Sequence, residues 1–134
     1  MKQVKSIGAV VHSNGRFLLL QYAAGHWDFV KGHVEKGESE VETMVRELCE
    51  ETGISQFEVM PGFREEINYV YKNGKETVKK TAVFYLIETK ETKIKLSNEH
   101  TSFAWLPFKE ALGKITYENS KQVLEKANRF LEKV

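Results

Sequence analysis

The stretch from Gly32 to Ile54 constrains this chain more than any other part of it. It runs Gly32-His33-Val34-Glu35-Lys36-Gly37-Glu38 and resumes as Arg46-Glu47-Leu48-Cys49-Glu50-Glu51-Thr52-Gly53-Ile54. The pattern predicts a tight loop, a short helix with carboxylates crowded on one flank, and a second turn. Ser39 and Glu42 have the spacing of a capping box, each side chain serving the other's amide. Gly53 falls where a left-handed residue ends a helix, with Ile54 as the apolar contact beyond it. Val41, Met44, Val45 and Leu48 recur at three- and four-residue steps and predict the buried stripe.

Glu47, Glu50 and Glu51 stand beside that stripe. Helical residues three and four apart lie roughly 5–6 Å from each other at Cβ, so Glu47 reaches both other acids. Crowded carboxylates repel, and the C-terminal half of a helix adds its own negative end. A solvated acidic face is one reading. The other is a cation among them, and Mg²⁺ takes a few carboxylates together with phosphate and water oxygens. The flexible backbone at Gly32 and Gly37 and the positive charge of Lys31 favour the second.

The spacing Gly32-x5-Glu38-x7-Arg46-Glu47-Leu48-x-Glu50-Glu51-x-Gly53-Ile54 resembles the complete Nudix box. The resemblance implies an α/β fold, a mixed β-sheet sandwiched between helices (α/β/α). It implies hydrolysis of a pyrophosphate bond in a nucleoside diphosphate linked to another moiety. The implied metal ligands are Glu47, Glu50 and Glu51, with Gly32 offering a loop carbonyl. Glu38 and Arg46 resemble the box's supporting pair. Arg46 can reach Glu50 at i+4 and Glu42 at i−4, which suits it to orienting acids.

The rest of the chain agrees with one soluble domain spanning residues 1–134. At 134 residues, 41% apolar and 29% charged, it can build one core. A net charge of +1 gives no general attraction to DNA or to membranes. The apolar run Ile7–Val11 is too short for a signal peptide or a span. The single cysteine, Cys49, reads as a packing residue and fits a reducing cytoplasm.

Strands are expected over Ser6–Val11 and Arg16–Tyr22, joined by a turn at Ser13-Asn14-Gly15. Phe17–Leu20 is apolar enough to be buried on both faces. Trp27–Val30 is a short extended piece. Phe57–Met60 leads into a turn or bulge at Pro61-Gly62, after which Phe63, Glu65, Ile67, Tyr69 and Tyr71 share a face. Asn73-Gly74 turns the chain into a strand over Val78–Ile87. Lys93–Leu96 and Phe103–Leu106 read as strands, Lys109–Leu112 as a helical turn, and Glu118–Glu132 as an amphipathic helix.

The flanks of the box resemble asymmetrical diadenosine tetraphosphate hydrolases of the animal and archaeal type. The matching pieces include His26-Trp27, Lys31-Gly32-His33-Val34-Glu35, Asn68-Tyr69-Val70, Lys80-Thr81, Leu96-Ser97-Asn98-Glu99-His100 and Trp105-Leu106. This resemblance implies cleavage to AMP and ATP. Lys31, Lys80 and His26 would contact phosphates, and Tyr69 and Tyr117 would clamp an adenine. Glu99 would be a further metal ligand or the base, with Glu47 the other candidate base and His100 orienting Glu99. Core packing is the competing role for Tyr69 and Tyr117, and a protected sheet edge for Lys80. The cofactor implied is Mg²⁺, with Mn²⁺ as a substitute, and the chain would be a monomer or homodimer. The departures are a long Val70–Lys80 hairpin, Asn98 where a histidine is expected, and Phe29-Val30 before Lys31. Other substrates compatible with the box are an RNA 5′-triphosphate end, a diphosphoinositol phosphate or a nucleoside triphosphate. A nucleotide-sensing module without activity is the non-enzymatic alternative.

Overall fold

A computed structural model describes residues 1–134. β1 (Lys2–Ser13) and β2 (Arg16–Tyr22) are joined by the expected hairpin, with Asn14 and Gly15 at φ 47° and 78°. Positive φ at both central positions matches the twist of the flanking strands. β3 (Trp27–Asp28) and β4 (Val30–His33) lead to α1 (Glu40–Thr52). β5 (Glu58–Asn73) and β6 (Glu76–Glu88) form a long hairpin, interrupted by a bulge between Val59 and Arg64 where Pro61-Gly62 lies. β7 (His100–Leu106), α2 (Phe108–Lys114) and α3 (Glu118–Glu132) follow.

The sheet order is β3-β2-β1-β6-β5, with β4 also paired to β1 and β7 to β2. β1 and β6 run parallel from Lys2 opposite Val78 to His12 opposite Glu88, whereas β1 and β2 are antiparallel. The sheet is therefore mixed. Period-two alternation sends Val10, Ala82, Phe84 and Leu86 to one face, against Ala111 of α2 and Val123, Leu124 and Ala127 of α3. Ile7, Ala9, Val11, Val83 and Ile87 face the other side, against Met44 and Leu48 of α1. Helices on both faces complete the α/β/α sandwich. In β2, Phe17 and Leu19 enter the first core, Leu18 and Leu20 the second, as a doubly buried strand requires. Each such side chain contributes about 1.5–3 kcal/mol on burial. No helix is long and apolar enough to cross a membrane.

Three expectations are corrected. Val41 and Val45 are 41% and 37% exposed; the inward face of α1 carries Thr43, Met44, Leu48, Glu51 and Thr52. Two apolar stripes lie side by side on this helix, and the inner one is selected because its polar members find partners. Thr43 donates to Glu38 at 2.9 Å, and Thr52 donates to the Leu48 carbonyl. Cys49 is exposed rather than packed, because it lies on the outer side of the same helix. Lys93–Leu96 forms no strand. Instead the Lys95 amide donates to the Thr52 carbonyl at 2.9 Å while Ile94 and Leu96 pack on the core. β7 already occupies the free side of β2, so tertiary pairing overrides local propensity.

Candidate active site

α1 is placed by both of its ends. Ser39 accepts from the Glu42 amide at 3.1 Å and its own amide donates to Glu42 at 2.9 Å, the expected capping box. Gly53 closes the helix at φ 79°, its amide donating to the Cys49 carbonyl. Between these stops Glu47, Glu50 and Glu51 each offer a carboxylate oxygen, all within 4.8 Å of one another.

Arg46 is the hub on the outer side of these acids. It donates to Glu38 at 2.6 and 3.1 Å, to Glu47 at 2.8 Å, to Glu50 at 3.3 Å and to the His33 carbonyl at 3.0 Å. The expected reach to Glu50 is present, but the one to Glu42 is not, since Glu42 is committed to the cap. Glu38 also accepts from the Glu35 amide and Thr43, so one guanidinium ties the 33–38 turn to the helix. The hydrogen bonds from Arg46 and the Glu35 amide hold the Glu38 carboxyl well below the usual carboxylate range. Glu47 is displaced the other way. Burial pushes it up, Arg46 opposes, and Glu51 and Glu50 add repulsion. Gly32 lies in strand β4 rather than in a loop, and a Cβ there would run into the Glu47 carboxylate. The glycine is needed for close approach, not for a turn.

Glu51 is 5% exposed. It accepts from the Ser97 hydroxyl, and His100 Nδ1 lies 2.8 Å from the same oxygen. His100 was expected to orient Glu99; the structure sets it on Glu51 instead, because its ring is turned inward at the start of β7. Burial pushes the His100 imidazole below its ordinary value, against the attraction of Glu51. Glu99 is exposed and lines the same groove as Glu47, Glu50 and Glu51, outside their 4.8 Å set. That groove encloses about 440 Å³.

A second recess of about 480 Å³ adjoins it on the α3 side of the sheet. His26, Asp28, Lys31, Tyr69, Lys80 and Tyr117 line it, and Lys31 and Lys80 also line the acidic groove. Tyr69 stands opposite Lys80 in the β5–β6 ladder, so both project from one face. Tyr117, just ahead of α3, is 48% exposed and is not a core residue. His26 is stacked on Tyr22, ring centroids 4.5 Å apart and planes 7° from parallel, and lies 5.4 Å from the Tyr117 ring. Burial pushes the Lys80 amine below its ordinary value, with Lys31 adding repulsion and Asp28 opposing.

All the site residues read from the sequence therefore line one of two joined recesses, Arg46 and Gly32 from the acidic side. Three partners escaped that reading. Asp28 is wholly buried and accepts from Lys31 at 3.0 Å and the Phe29 amide at 2.8 Å. Tyr22 donates to the Phe29 carbonyl at 2.6 Å and packs between His26 and His100. Ser97 is the third. Asp28 is three residues from Lys31, a separation that fits an ion pair but has no meaning until a turn joins them.

The carboxylate set fits a hard divalent cation. Its donors are all oxygens, they converge within ion-binding reach, and Gly32 leaves open the space its neighbour Glu47 occupies. Trp27 and Trp105 pack at the core margin.

A family model described as the NUDIX domain matches residues 2–127. The chain is 43% identical over 121 residues to a rat protein named bis(5′-nucleosyl)-tetraphosphatase (asymmetrical), covering 86% of this chain and 80% of that one. A mouse protein of the same name is 40% identical over 126 residues, covering 90% and 83%. Among solved structures, a Caenorhabditis elegans Ap4A hydrolase in a binary complex superposes with a TM-score of 0.82 at 27% identity, over 98% of this chain and 99% of that one. The box acids on a capped helix, the sandwich that carries them and the match across residues 2–127 lead to one conclusion: the chain belongs to the Nudix family.

Proposed function

We propose that this chain, acting as one domain over residues 1–134, hydrolyses diadenosine tetraphosphate to AMP and ATP with a divalent cation held by Glu47, Glu50 and Glu51. The observation that carries the reading is that Lys31 and Lys80 line both the acidic groove and the aromatic recess. A polyphosphate lying across the two lysines joins a base in the recess to an anhydride link at the acids. The names of the rat and mouse relatives point to the same substrate.

The cation is Mg²⁺, replaceable by Mn²⁺; when bound it neutralises phosphate oxygens and lowers the pKa of a water. The protein's own groups do the rest. Tyr69 and Tyr117 take the adenine between them, and stacking of this kind is worth about 1–3 kcal/mol per base. His26, fixed by its stack on Tyr22, adds a donor to the phosphates. Arg46 holds Glu47 and Glu50 in place. Glu99 takes the proton from the attacking water. It is the carboxylate of the groove with neither a hydrogen-bond nor an ion-pair partner, whereas Glu47 and Glu35 are engaged by Arg46. A P–O bond forms between the attacked phosphorus and the water oxygen, and the bond from that phosphorus to the bridging oxygen breaks. The bridging oxygen leaves on the other phosphate chain. The single cysteine suits a reducing compartment, and the cytoplasm is the proposed location.

The test is product chromatography after incubation with diadenosine tetraphosphate and Mg²⁺, alongside RNA 5′-triphosphate ends, a diphosphoinositol phosphate and nucleoside triphosphates. AMP and ATP in equal amounts are expected. Two ADP molecules, or faster turnover of any other substrate in the panel, would refute the substrate. No turnover of any of them, with nucleotide still bound, would favour a sensing module.

A further inference from the structure

We propose that His100, together with Ser97, is a positioning residue that makes Glu51 present a single oxygen to the cation. The inference rests on the reading of Glu47, Glu50 and Glu51 as cation ligands.

Glu51 Oε2 accepts from the Ser97 hydroxyl and lies 2.8 Å from His100 Nδ1, which is itself 3.3 Å from Ser97 Oγ, so this oxygen is engaged from the protein side. Glu51 Oε1 accepts from no protein donor and is the oxygen left for the groove. The His100 ring is 1% exposed, and its Nε2 has no partner. A buried ring nitrogen without a partner lowers stability. An apolar ring would fill the same space without that loss. The polar contacts that distinguish histidine here are therefore those of Nδ1, with Glu51 Oε2 at 2.8 Å and Ser97 Oγ at 3.3 Å. Tyr22 fixes the ring's orientation by an edge contact at 4.4 Å. With Nδ1 on the Glu51 side, Nε2 is the ring nitrogen left without a partner.

The same clasp sets the backbone that carries Glu99. The His100 amide donates to the Ser97 carbonyl at 3.3 Å, and the Glu99 amide donates to Ser97 Oγ at 3.3 Å. The Glu99 carbonyl accepts from the Ala23 amide at 3.1 Å. The 97–100 turn is thus docked on Glu51 at one side and on the β2–β3 connection at the other. Residues that orient a metal ligand from behind typically account for about 10–100-fold in metal affinity or activity.

The experiment is Mn²⁺ binding in the absence of substrate, read by calorimetry and by the electron paramagnetic resonance of free Mn²⁺. It compares the wild-type chain with His100→Ala, His100→Asn and Ser97→Ala, each checked for folding by circular dichroism. His100→Ala is expected to weaken Mn²⁺ by about 10–100-fold. In His100→Asn the side-chain amide places an N–H where Nδ1 stood, and affinity returns to within about threefold of wild type, a recovery expected from restoring the orienting contact. Ser97→Ala removes one donor of two, and a loss of severalfold is expected. Wild-type affinity in His100→Ala, or equal losses in His100→Ala and His100→Asn, would overturn the proposal. Should His100→Ala fail to fold, an unchanged affinity in Ser97→Ala would overturn it. A wild-type chain that takes up no Mn²⁺ overturns the reading of the acids themselves and this proposal with it.

Discussion

The two joined recesses are built in different ways. In the acidic groove the two more buried acids are each held twice: Glu47 by Arg46 and by its seat against Gly32, Glu51 by Ser97 and His100. In the aromatic recess Tyr117 is 48% exposed, and Lys80 has no carboxylate partner. Tyr69 rises from a long edge hairpin. Preorganised charge is what lowers a reaction barrier, whereas a base-binding wall needs a face and little else. On the proposed reading, the difference teaches that reactivity rests on a rigid polar frame and the choice of substrate on a looser one. Changes in the groove should act on kcat and changes in the recess on KM.

The comparison breaks most easily at Glu51. Glu51→Gln keeps an acceptor for Ser97 and His100 but removes the charge. A loss of roughly 10³-fold in kcat is expected, at the upper end for a single preorganised electrostatic group, with the thermal midpoint nearly unchanged. Activity within about tenfold of wild type would contradict the groove's role, being a loss of only about 1.4 kcal/mol. Arg46→Lys comes next. A lysine cannot span Glu38, Glu47 and the His33 carbonyl together, and a fall of about 10–100-fold in kcat is expected for a residue acting through the acids. A change confined to KM would move Arg46 from the groove to the substrate.

Tyr69→Ala sharpens the other side. Removing one stacking face costs about 1–3 kcal/mol, or roughly 5–150-fold in KM, with kcat little altered. An unchanged KM in steady-state assays would leave Tyr69 as a wall residue only.

The smallest effect is a control remote from both recesses. Glu40, at the start of α1, accepts from Lys5 at 2.7 Å, Arg64 at 2.9 Å and the Tyr85 hydroxyl at 2.6 Å. The bonds from Arg64, then Lys5 and Tyr85, hold its carboxyl far below the ordinary 4.5. A folded value below the unfolded one adds stability above the unfolded pKa, and that stability is lost as pH falls through the folded value. Arg64 and Lys5 are each 45% exposed, so solvent screening limits the contribution to about 1 kcal/mol or less. Glu40→Gln should therefore melt slightly earlier at neutral pH, and the gap should close in acid. Neither kcat nor KM should move; a shift in either would mean that the two recesses are coupled through the helix N-terminus.

How much was legible in the sequence follows the same division. The frame of α1 could be read because its signals are local: Ser39 and Glu42 at one end, Gly53 at the other, acids a helical turn apart. The strands of the two hairpins were legible from Asn14-Gly15 and Asn73-Gly74. The face that α1 turns inward was not, since Val41 and Val45 compete with Met44 and Leu48 on pattern alone and only partners for Thr43 and Glu51 decide. Nor was the His100–Glu51 contact, which joins residues on different elements that meet only after β7 pairs with β2. Tyr69 and Lys80 could be named from resemblance, but their shared face depends on the register of the long hairpin, in which they stand opposite one another.

The most direct test is a crystal structure with Mn²⁺ and a non-hydrolysable diadenosine tetraphosphate analogue. The expected result is metal density on Glu47, Glu50 and Glu51, phosphates over Lys31 and Lys80, and a base between Tyr69 and Tyr117. Glutamates without metal, or an analogue bound elsewhere, would contradict the account.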